Sequence, residues 1–257
     1  MIGKLWKFTL FFLLCLVVAL LFNLPVQQVL PWVHLPEQVR LSGIDGTIID
    51  GKADEIVIDR FPLRDIEYHY MPSCIPLLKI CYRVDYSQGK VEVAYDLLNG
   101  DTEVIGARIE YPVTELAQYV PNLIVQPAGR LELQINDLAI VAGKPTALSG
   151  KLVWRDLGVD DDGIRLNVGD YELDFTGDPG GYKFDLKDLD ANLDVDGEGE
   201  VSADGQYRMT IRIIARDELE PQVRTVLNAV ATPVDRNHYR VEQSGRLPNH
   251  LRNQIFP

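Results

Sequence analysis

Patterns of catalytic and metal-binding residues are scarce in this sequence. The four histidines, His34, His69, His238 and His250, are scattered, and none lies in a nucleophile or metal-ligand arrangement. There is no G-x-S-x-G nucleophile elbow, no H-E-x-x-H zinc motif and no glycine-rich phosphate loop after a strand. We therefore predict that the protein is not an enzyme and has no catalytic residue, no cofactor and no bound metal.

Positive charge is also scarce. The chain has 25 Lys and Arg residues against 38 Asp and Glu residues, which gives a formal net charge of -13. Because nucleic acid is a polyanion, so acidic a protein repels it, and we expect no nucleic-acid partner. Basic protein surfaces remain allowed as partners, and the charge also keeps the protein soluble.

Cysteine is rare, with three residues in the chain. Cys15 lies in an apolar run, while Cys74 and Cys81 lie close together in the segment SCIPLLKICY. A zinc site at this pair would need further ligands, and the nearest histidine, His69, stands alone. In an oxidising compartment we predict a disulfide between Cys74 and Cys81.

A long apolar run is present near the N-terminus. Residues 5–24 contain a single charge, Lys7, and a helix of about 17 to 25 apolar residues spans a bilayer. A cleaved signal peptide is disfavoured because no A-x-A pattern follows, and a buried core helix because the run has no polar face. Lys4 precedes the run, Lys7 lies near its beginning, and the next Lys or Arg is Arg40, so the positive-inside rule predicts that the rest of the chain lies outside the cytoplasm.

Beyond the run, apolar and polar residues alternate in many short segments separated by Gly, Asp and Asn. Alternation with period two and regular turn signals indicates antiparallel sheet. The clearest strand signals cover residues 55–61, 81–86, 90–97, 102–111, 130–140, 150–159, 163–175, 205–214 and 238–247.

Two helices interrupt this pattern. Thr114 can cap a short helix that ends before Pro121, and a longer helix is predicted over 218–231 and ends at Pro233. The predicted fold class is mainly β: a curved antiparallel meander, as a roll or open half-barrel, with one or two short helices. A single N-terminal transmembrane helix precedes it.

The predicted organisation has four parts. Residues 1–24 form the cytoplasmic N-terminus and transmembrane anchor, and the proline-containing segment 25–38 is a juxtamembrane linker. Residues 39–247 form one β-rich domain, and residues 248–257 are a flexible tail without periodic pattern.

The segment VRLSGIDGTIIDGKADEIVI resembles the beginning of the exported domain in the type II secretion system protein N family. A string of the G-x-x-G-T-x-x-x-G-x-A type occurs there, supplied by Gly43, Gly46, Thr47, Gly51 and Ala53. Two later segments are similar to the family as well, over residues 147–159 and 227–247.

This resemblance implies a non-catalytic component of the machinery that exports folded periplasmic proteins across the outer membrane. It further implies a single-pass protein of the bacterial inner membrane whose C-terminal domain lies in the periplasm. The expected partners are other secretion-system proteins, in the inner-membrane platform and at the secretin. Sheet edges with unpaired backbone groups are natural docking sites for them.

Two other functions remain open from the sequence. An open β-roll with an apolar inner face is also suited to binding or transferring lipid, as in proteins of the AsmA-like type, and lipid would then be the partner. A chaperone that binds the secreted exoprotein would instead need an exposed apolar or acidic patch.

Overall fold

The computed structural model describes most of the chain, and the fold is mainly β. The described residues are 6, 9–13, 16, 19–20, 22–32, 39–58, 61–117, 126–141, 144–161, 164–215, 224, 227–228, 231–235 and 237–247. They contain fifteen strands, and every pair of strands with an assigned register is antiparallel. The chain forms two compact units, Met1–Ala94 and Tyr95–Pro257.

The first unit contains short helices and a small meander. Helix α1 covers Val26–Val29, and 3-10 helices cover Leu30–Trp32 and Pro72–Leu77. Strand β3 pairs with β1, β2 and β4, and β4 pairs with β5. The strands that begin in this unit are β1 Val39–Ser42, β2 Asp45–Gly46, β3 Asp50–Ile58, β4 Phe61–Tyr70, β5 Lys79–Tyr86 and β6 Gly89–Asp96.

The second unit is a longer meander in which each strand from β7 to β13 pairs with the next. Strand β15 lies between β13 and β14, and helix α2 covers Val113–Ala117. The strands are β7 Thr102–Pro112, β8 Gln126–Val141, β9 Lys144–Asp161, β10 Ile164–Asp178, β11 Gly181–Ala191, β12 Leu193–Ser202, β13 Gln206–Ala215, β14 Thr232–Pro233 and β15 His238–Arg246.

One face of the second unit's sheet is apolar because successive side chains of a strand point to opposite faces. Facing residues on neighbouring strands form a continuous apolar row across this face. The row runs through Ile109, Leu133, Leu152, Leu173, Leu186, Gly197, Ile211 and Val241. Such cross-strand pairs stabilise a sheet and set its register.

Aromatic rings on this face lie over glycines of the neighbouring strand. A Cβ atom at Gly150 would overlap the ring of Phe175, and a Cβ atom at Gly199 would overlap the ring of Phe184. Phe175 and Phe184 also face each other across β10 and β11. The two rings therefore occupy the space where a side chain at Gly150 or Gly199 would lie. Both rings are half-buried.

A buried core covers one end of the apolar face. It contains Tyr171, Ala191, Leu193, Val195, Ile213, Ala215, Leu227, Ala231 and Tyr239. Leu227 belongs to the segment predicted as the second helix, most of which lies outside the described residues. The described part of that segment thus contacts the sheet through its apolar side chains.

The structure confirms the mainly β antiparallel meander and differs from the sequence in several elements. The strand signals miss β4, β11 and β12 among the longer strands, and the short strands β1, β2 and β14. Strand β4 contains Pro62 and an irregular position at Asp65, which has a φ of 53°. Asp196 and Gly197 look like a turn in sequence but lie inside β12, because a glycine there leaves room for the neighbouring strand's side chains.

The predicted membrane anchor over residues 5–24 lies in large part outside the described residues. Within the part of the chain that is described, no helix has both the length and the apolar character needed to cross a bilayer. The anchor, the domain boundaries and the curvature of the sheet therefore stay predictions. The tail 248–257 lies wholly outside the described residues.

We predict that Gly199→Ala lowers the free energy of unfolding by about 1–3 kcal/mol, the usual cost of overpacking. The added methyl group would overlap the ring of Phe184. The measurement is urea unfolding of the full chain in mild detergent, followed by circular dichroism.

Gly106→Ala is the matched control, because a Cβ atom there would lie 3.9 Å from the carbonyl oxygen of Ile135, an ordinary contact. This variant should be as stable as the parent protein or more stable. Adding Phe184→Leu to Gly199→Ala should recover part of the loss. A Gly199→Ala protein with an unchanged urea midpoint would contradict this account of the packing.

Candidate interaction surfaces

The glycine-threonine string forms the tight turn between β2 and β3. Gly46 and Gly51 face each other, and Gly46 has a φ of 111° in the left-handed half of the map. A Cβ atom at Gly46 would come 2.5 Å from the Cα atom of Gly51. The Thr47 hydroxyl accepts hydrogen bonds from the N–H groups of Ile49 and Asp50, at 3.2 and 3.3 Å. The spacing of Gly46, Thr47 and Gly51 in the sequence is therefore explained by their positions in this turn.

Three tyrosines hold the turn in place. Tyr68 donates a hydrogen bond to the carbonyl oxygen of Thr47 at 2.7 Å, and Tyr82 donates one to the carbonyl oxygen of Ile48 at 2.8 Å. The Tyr82 ring makes edge contacts with the rings of Tyr68 and Tyr70, with centroids 6.3 and 5.7 Å apart. Burial raises the pKa of both Tyr68 and Tyr82, so both hydroxyls are protonated donors at neutral pH.

The end of the apolar run is attached to the same turn. The N–H group of Ile48 donates a hydrogen bond to the carbonyl oxygen of Leu24 at 3.1 Å. Pro25 forms an isolated β-bridge with Thr47, and the Gln27 side-chain amide donates to the carbonyl oxygen of Ile44 at 3.0 Å. Residues 24–27 thus contact the Thr47 turn and its neighbour Ile44.

A disulfide joins Cys74 and Cys81, the pair that the sequence predicts, with Cα atoms 6.0 Å apart. The Cys81 residue is 0% exposed, and Met71 packs against the bridge. The N–H group of Met71 donates to the carbonyl oxygen of Cys81 at 2.8 Å. The bridge closes a loop that projects from the end of β4 and β5, and we call residues 74–81 the disulfide loop.

The opposite face of the second unit's sheet carries a charge network around Glu172. This residue is buried, and its Oε1 atom lies 2.8 Å from Lys151 Nζ and 2.7 Å from Lys187 Nζ. Asp174 lies 3.7 Å and 3.1 Å from the same two ammonium groups. Burial alone would raise the pKa of Glu172, but the hydrogen bonds and charges of Lys151 and Lys187 outweigh it, and the pKa lies below its ordinary value.

A second network lies beside the first. Arg155 contacts Asp170 at 2.9 Å and Glu132 at 3.4 Å. Asp170 also accepts the N–H group of Asp156 at 2.8 Å. Burial raises the pKa of Asp170, but these hydrogen bonds and the Arg155 charge lower it below the ordinary value. Both networks join side chains of neighbouring strands across the sheet.

The histidines are not gathered into a site. His69 Nδ1 lies 2.9 Å from Asp50, and His238 Nδ1 lies 2.6 Å from Asp235, each with a single carboxylate. Among the described residues, no group of three or more His, Cys, Asp or Glu side chains has the arrangement of a metal site. His34 and His250 lie outside the described residues.

The outer edge of β15 offers backbone hydrogen-bonding groups. Leu247 donates to Gly205 at 2.8 Å and Asn237 accepts from Ala215 at 2.9 Å, so odd-numbered residues bond towards β13. His238 accepts from Val234 at 2.8 Å, on the side of β14. Even-numbered residues therefore point outwards. In the described part of the chain, no strand pairs with this edge beyond Arg240.

Comparison with known proteins identifies the family. The model of the family described as Type II secretion system (T2SS), protein N matches residues 37–242. The chain belongs to the type II secretion system protein N family. Among curated proteins and solved structures, no significant match was found. The match includes the glycine-threonine turn, the disulfide loop and most of β15.

Membership in the protein N family makes the chain a component of the type II secretion system, with other components of that system as its partners. The family is a structural part of the machine. Sequence reasoning found the cysteine pair and the glycine-threonine string. It missed the tyrosines, the Glu172 network and the edge of β15, because each depends on which strands become neighbours.

We predict that replacing both cysteines of the disulfide loop, with Cys74→Ser and Cys81→Ser, lowers the free energy of unfolding by about 2 kcal/mol. The bridge limits the unfolded chain, so its loss favours unfolding. Thermal unfolding of the parent protein with and without reductant measures the same effect. Equal melting temperatures for the oxidised and reduced forms would refute it.

We predict that Glu172→Gln lowers stability at about pH 7 by roughly 2 kcal/mol, the range for hydrogen bonds to charged groups. Because the folded-state pKa of Glu172 is below the unfolded value, its contribution is present above the unfolded pKa. It is lost as the pH falls through the folded-state pKa. The difference between parent and variant should therefore shrink on acidification, as measured by urea unfolding across pH.

Glu198→Gln is the control for this variant. Glu198 is exposed on the same face, opposite Asp185 of the neighbouring strand. Removing one of two facing like charges should leave stability unchanged or slightly higher. If both glutamine variants lose the same stability at every pH, the Glu172 network has no special role.

Proposed function

We propose that this protein N is an inner-membrane-anchored, periplasmic and non-catalytic docking component of the secretion machine's inner-membrane platform. It would bind periplasmic domains of other secretion-system proteins by adding their strands to the outer edge of β15. The backbone groups of that edge carry the proposal. Family membership supplies the machine, and the described residues supply the docking surface.

The apolar N-terminal run supports the anchor. Its described residues are helical and expose large apolar side chains, with Phe12 69% and Leu20 62% exposed. Exposing such apolar side chains to water is unfavourable, whereas contact with the hydrocarbon core of a bilayer is favourable. Lys4 before the run and Lys7 near its beginning support an orientation in which the following domain lies outside the cytoplasm.

The edge of β15 supports the docking. Glu242, Ser244 and Arg246 direct their backbone N–H and C=O groups away from β13. These three side chains are exposed and lie on the polar face, while Val241 and Gln243 lie on the apolar face. A partner strand would complete the backbone hydrogen bonds and extend both faces of the sheet.

The apolar face itself is less suited to lipid transfer. The rings of Phe175 and Phe184 lie over Gly150 and Gly199 and fill the space that an acyl chain would need. A buried core occupies the end of the face near Val195. A lipid-binding β-roll is therefore second to strand docking, and an exoprotein-binding chaperone is the other alternative.

We would test the docking by photo-crosslinking in cells, with photoreactive p-benzoylphenylalanine replacing Ser244 in the full chain. The adducts are identified by mass spectrometry of copurified proteins and lipids. Recovery of another secretion-system protein is the expected result. Thr176 is the control position, because it is exposed on the same face but lies in β10, which is paired on both sides.

A proline variant makes the backbone contribution testable. Ser244→Pro removes one outward N–H group without removing a bond to β13, and proline is tolerated at sheet edges. We predict that this variant loses the partner adduct at a neighbouring edge position, Glu242, and keeps nearly the parent melting temperature. Ser244→Ala should keep the adduct. Crosslinks to phospholipid or to secreted cargo alone would instead favour one of the other two functions.

A further inference from the structure

The disulfide loop exposes a set of large apolar side chains. Ile75 is 51% exposed, Leu77 is 67% exposed and Leu78 is 50% exposed. Exposed single apolar residues are common on protein surfaces, but three within four residues form a patch. Exposed apolar side chains that cluster in this way mark a surface that binds a partner.

The loop holds these side chains in a defined conformation. The buried Cys74–Cys81 bridge closes its base, and Pro76 lies inside the 3-10 helix that forms its first half. Leu78 has a φ of 55°, and its N–H group donates to the carbonyl oxygen of Ile75 at 3.0 Å. A leucine in the left-handed region is disfavoured in a free chain, so its surroundings hold it there.

The loop lies at the same end of the first unit's sheet as the end of the apolar run. Ile48 donates to Leu24, and the N–H group of Tyr70 donates to the carbonyl oxygen of Ile49 at 2.7 Å. Tyr70 is followed by Met71, which bonds to Cys81 at the base of the loop. Three hydrogen bonds, joined by the chain links Ile48–Ile49 and Tyr70–Met71, therefore connect the run to the loop.

The chemistry of this end fits a lipid surface. Between Glu67 and Asp85 the chain has no carboxylate and carries Lys79 and Arg83, although the whole chain has 38 Asp and Glu residues. Two carboxylates reach this segment from other strands, and each lies beside a basic side chain: Asp50 is 2.9 Å from His69 and Glu92 is 2.9 Å from Arg83. Carboxylates would be repelled by anionic headgroups, and basic residues are attracted to them. Tyrosine is enriched where proteins meet the membrane interface, and the tyrosines that hold the Thr47 turn lie here.

We propose that the disulfide loop inserts Ile75, Leu77 and Leu78 into the headgroup region of the bilayer that holds the N-terminal anchor. This proposal rests on the anchor in the proposed function. The loop is then a second membrane contact, and it sets the orientation of the first unit on the membrane. A helix alone leaves the domain free to rotate, whereas two contacts fix which surfaces face the periplasm.

The test uses the full chain reconstituted into vesicles of phosphatidylethanolamine with a minor fraction of phosphatidylglycerol. Photoreactive p-benzoylphenylalanine replaces Leu77, and intact-protein mass spectrometry detects phospholipid adducts after illumination. Replacement at an exposed position leaves folding intact. Leu10, in the apolar run, is the positive control.

Ile58 is the matched negative control. It is an apolar residue of the same unit, 43% exposed, at the opposite end of β3 from the Thr47 turn. We expect lipid adducts when the photoreactive residue is at position 77 or 10, and no lipid adduct when it is at position 58. Breaking the bridge with Cys74→Ser and Cys81→Ser should lower the yield at Leu77 and leave the yield at Leu10 unchanged.

The outcomes separate this proposal from the anchor. Adducts at Leu10 without adducts at Leu77 overturn the membrane contact of the loop and leave the anchor intact. No adduct at either position overturns both. Equal yields at Leu77 and Ile58, or an adduct at Leu77 with a second copy of the chain, also overturn the loop's contact with lipid. The same photoreactive variant is also illuminated in cells. An adduct with another secretion-system protein in place of lipid would overturn the lipid contact and assign the patch to a protein partner.

Discussion

The two-residue alternation of the β-strand is the constraint on which most of this structure depends. Along each strand of an antiparallel meander, alternate side chains lie on the apolar face and the side chains between them lie on the charged face. In the second unit this alternation produces the row of leucines from Leu133 to Leu186 on one side and the Glu172 network on the other. The backbone follows the same period, since alternate residues of β15 bond to β13 and the others point to the open edge. The surface proposed for docking is thus a consequence of where the meander stops.

Glycine and aromatic residues adapt this regular sheet to its neighbours. Phe184 lies over Gly199, and Tyr68 lies over Gly51 in the first unit. A side chain at either glycine would displace the ring, so the conformational cost of glycine in a strand is offset by the packing of the aromatic side chain. The glycine-threonine string lies within the residues that the family model matches, and its Gly46, Thr47 and Gly51 build one turn that Tyr68 closes.

The proposed functions divide between the two units, each considered by itself. The first unit receives the apolar run at Leu24 and carries the disulfide loop at the same end of its sheet. The second unit carries the strand edge that would accept a secretion-system partner. No bond-making chemistry is needed for this role.

The sequence by itself determined the strand-rich class, the cysteine pair and the apolar run, since each follows from local patterns of spacing and composition. It predicted nine strand regions, but three longer strands, β4, β11 and β12, were missed. In β12, Asp196 and Gly197 look like turn residues in isolation. Only the tertiary structure decided that Lys151 and Lys187 meet at Glu172, that the tyrosines reach the Thr47 turn, and that no strand of the described residues pairs with the outer edge of β15 beyond Arg240. These features depend on which distant strands become neighbours and in what register, and a one-residue shift would send every side chain to the other face.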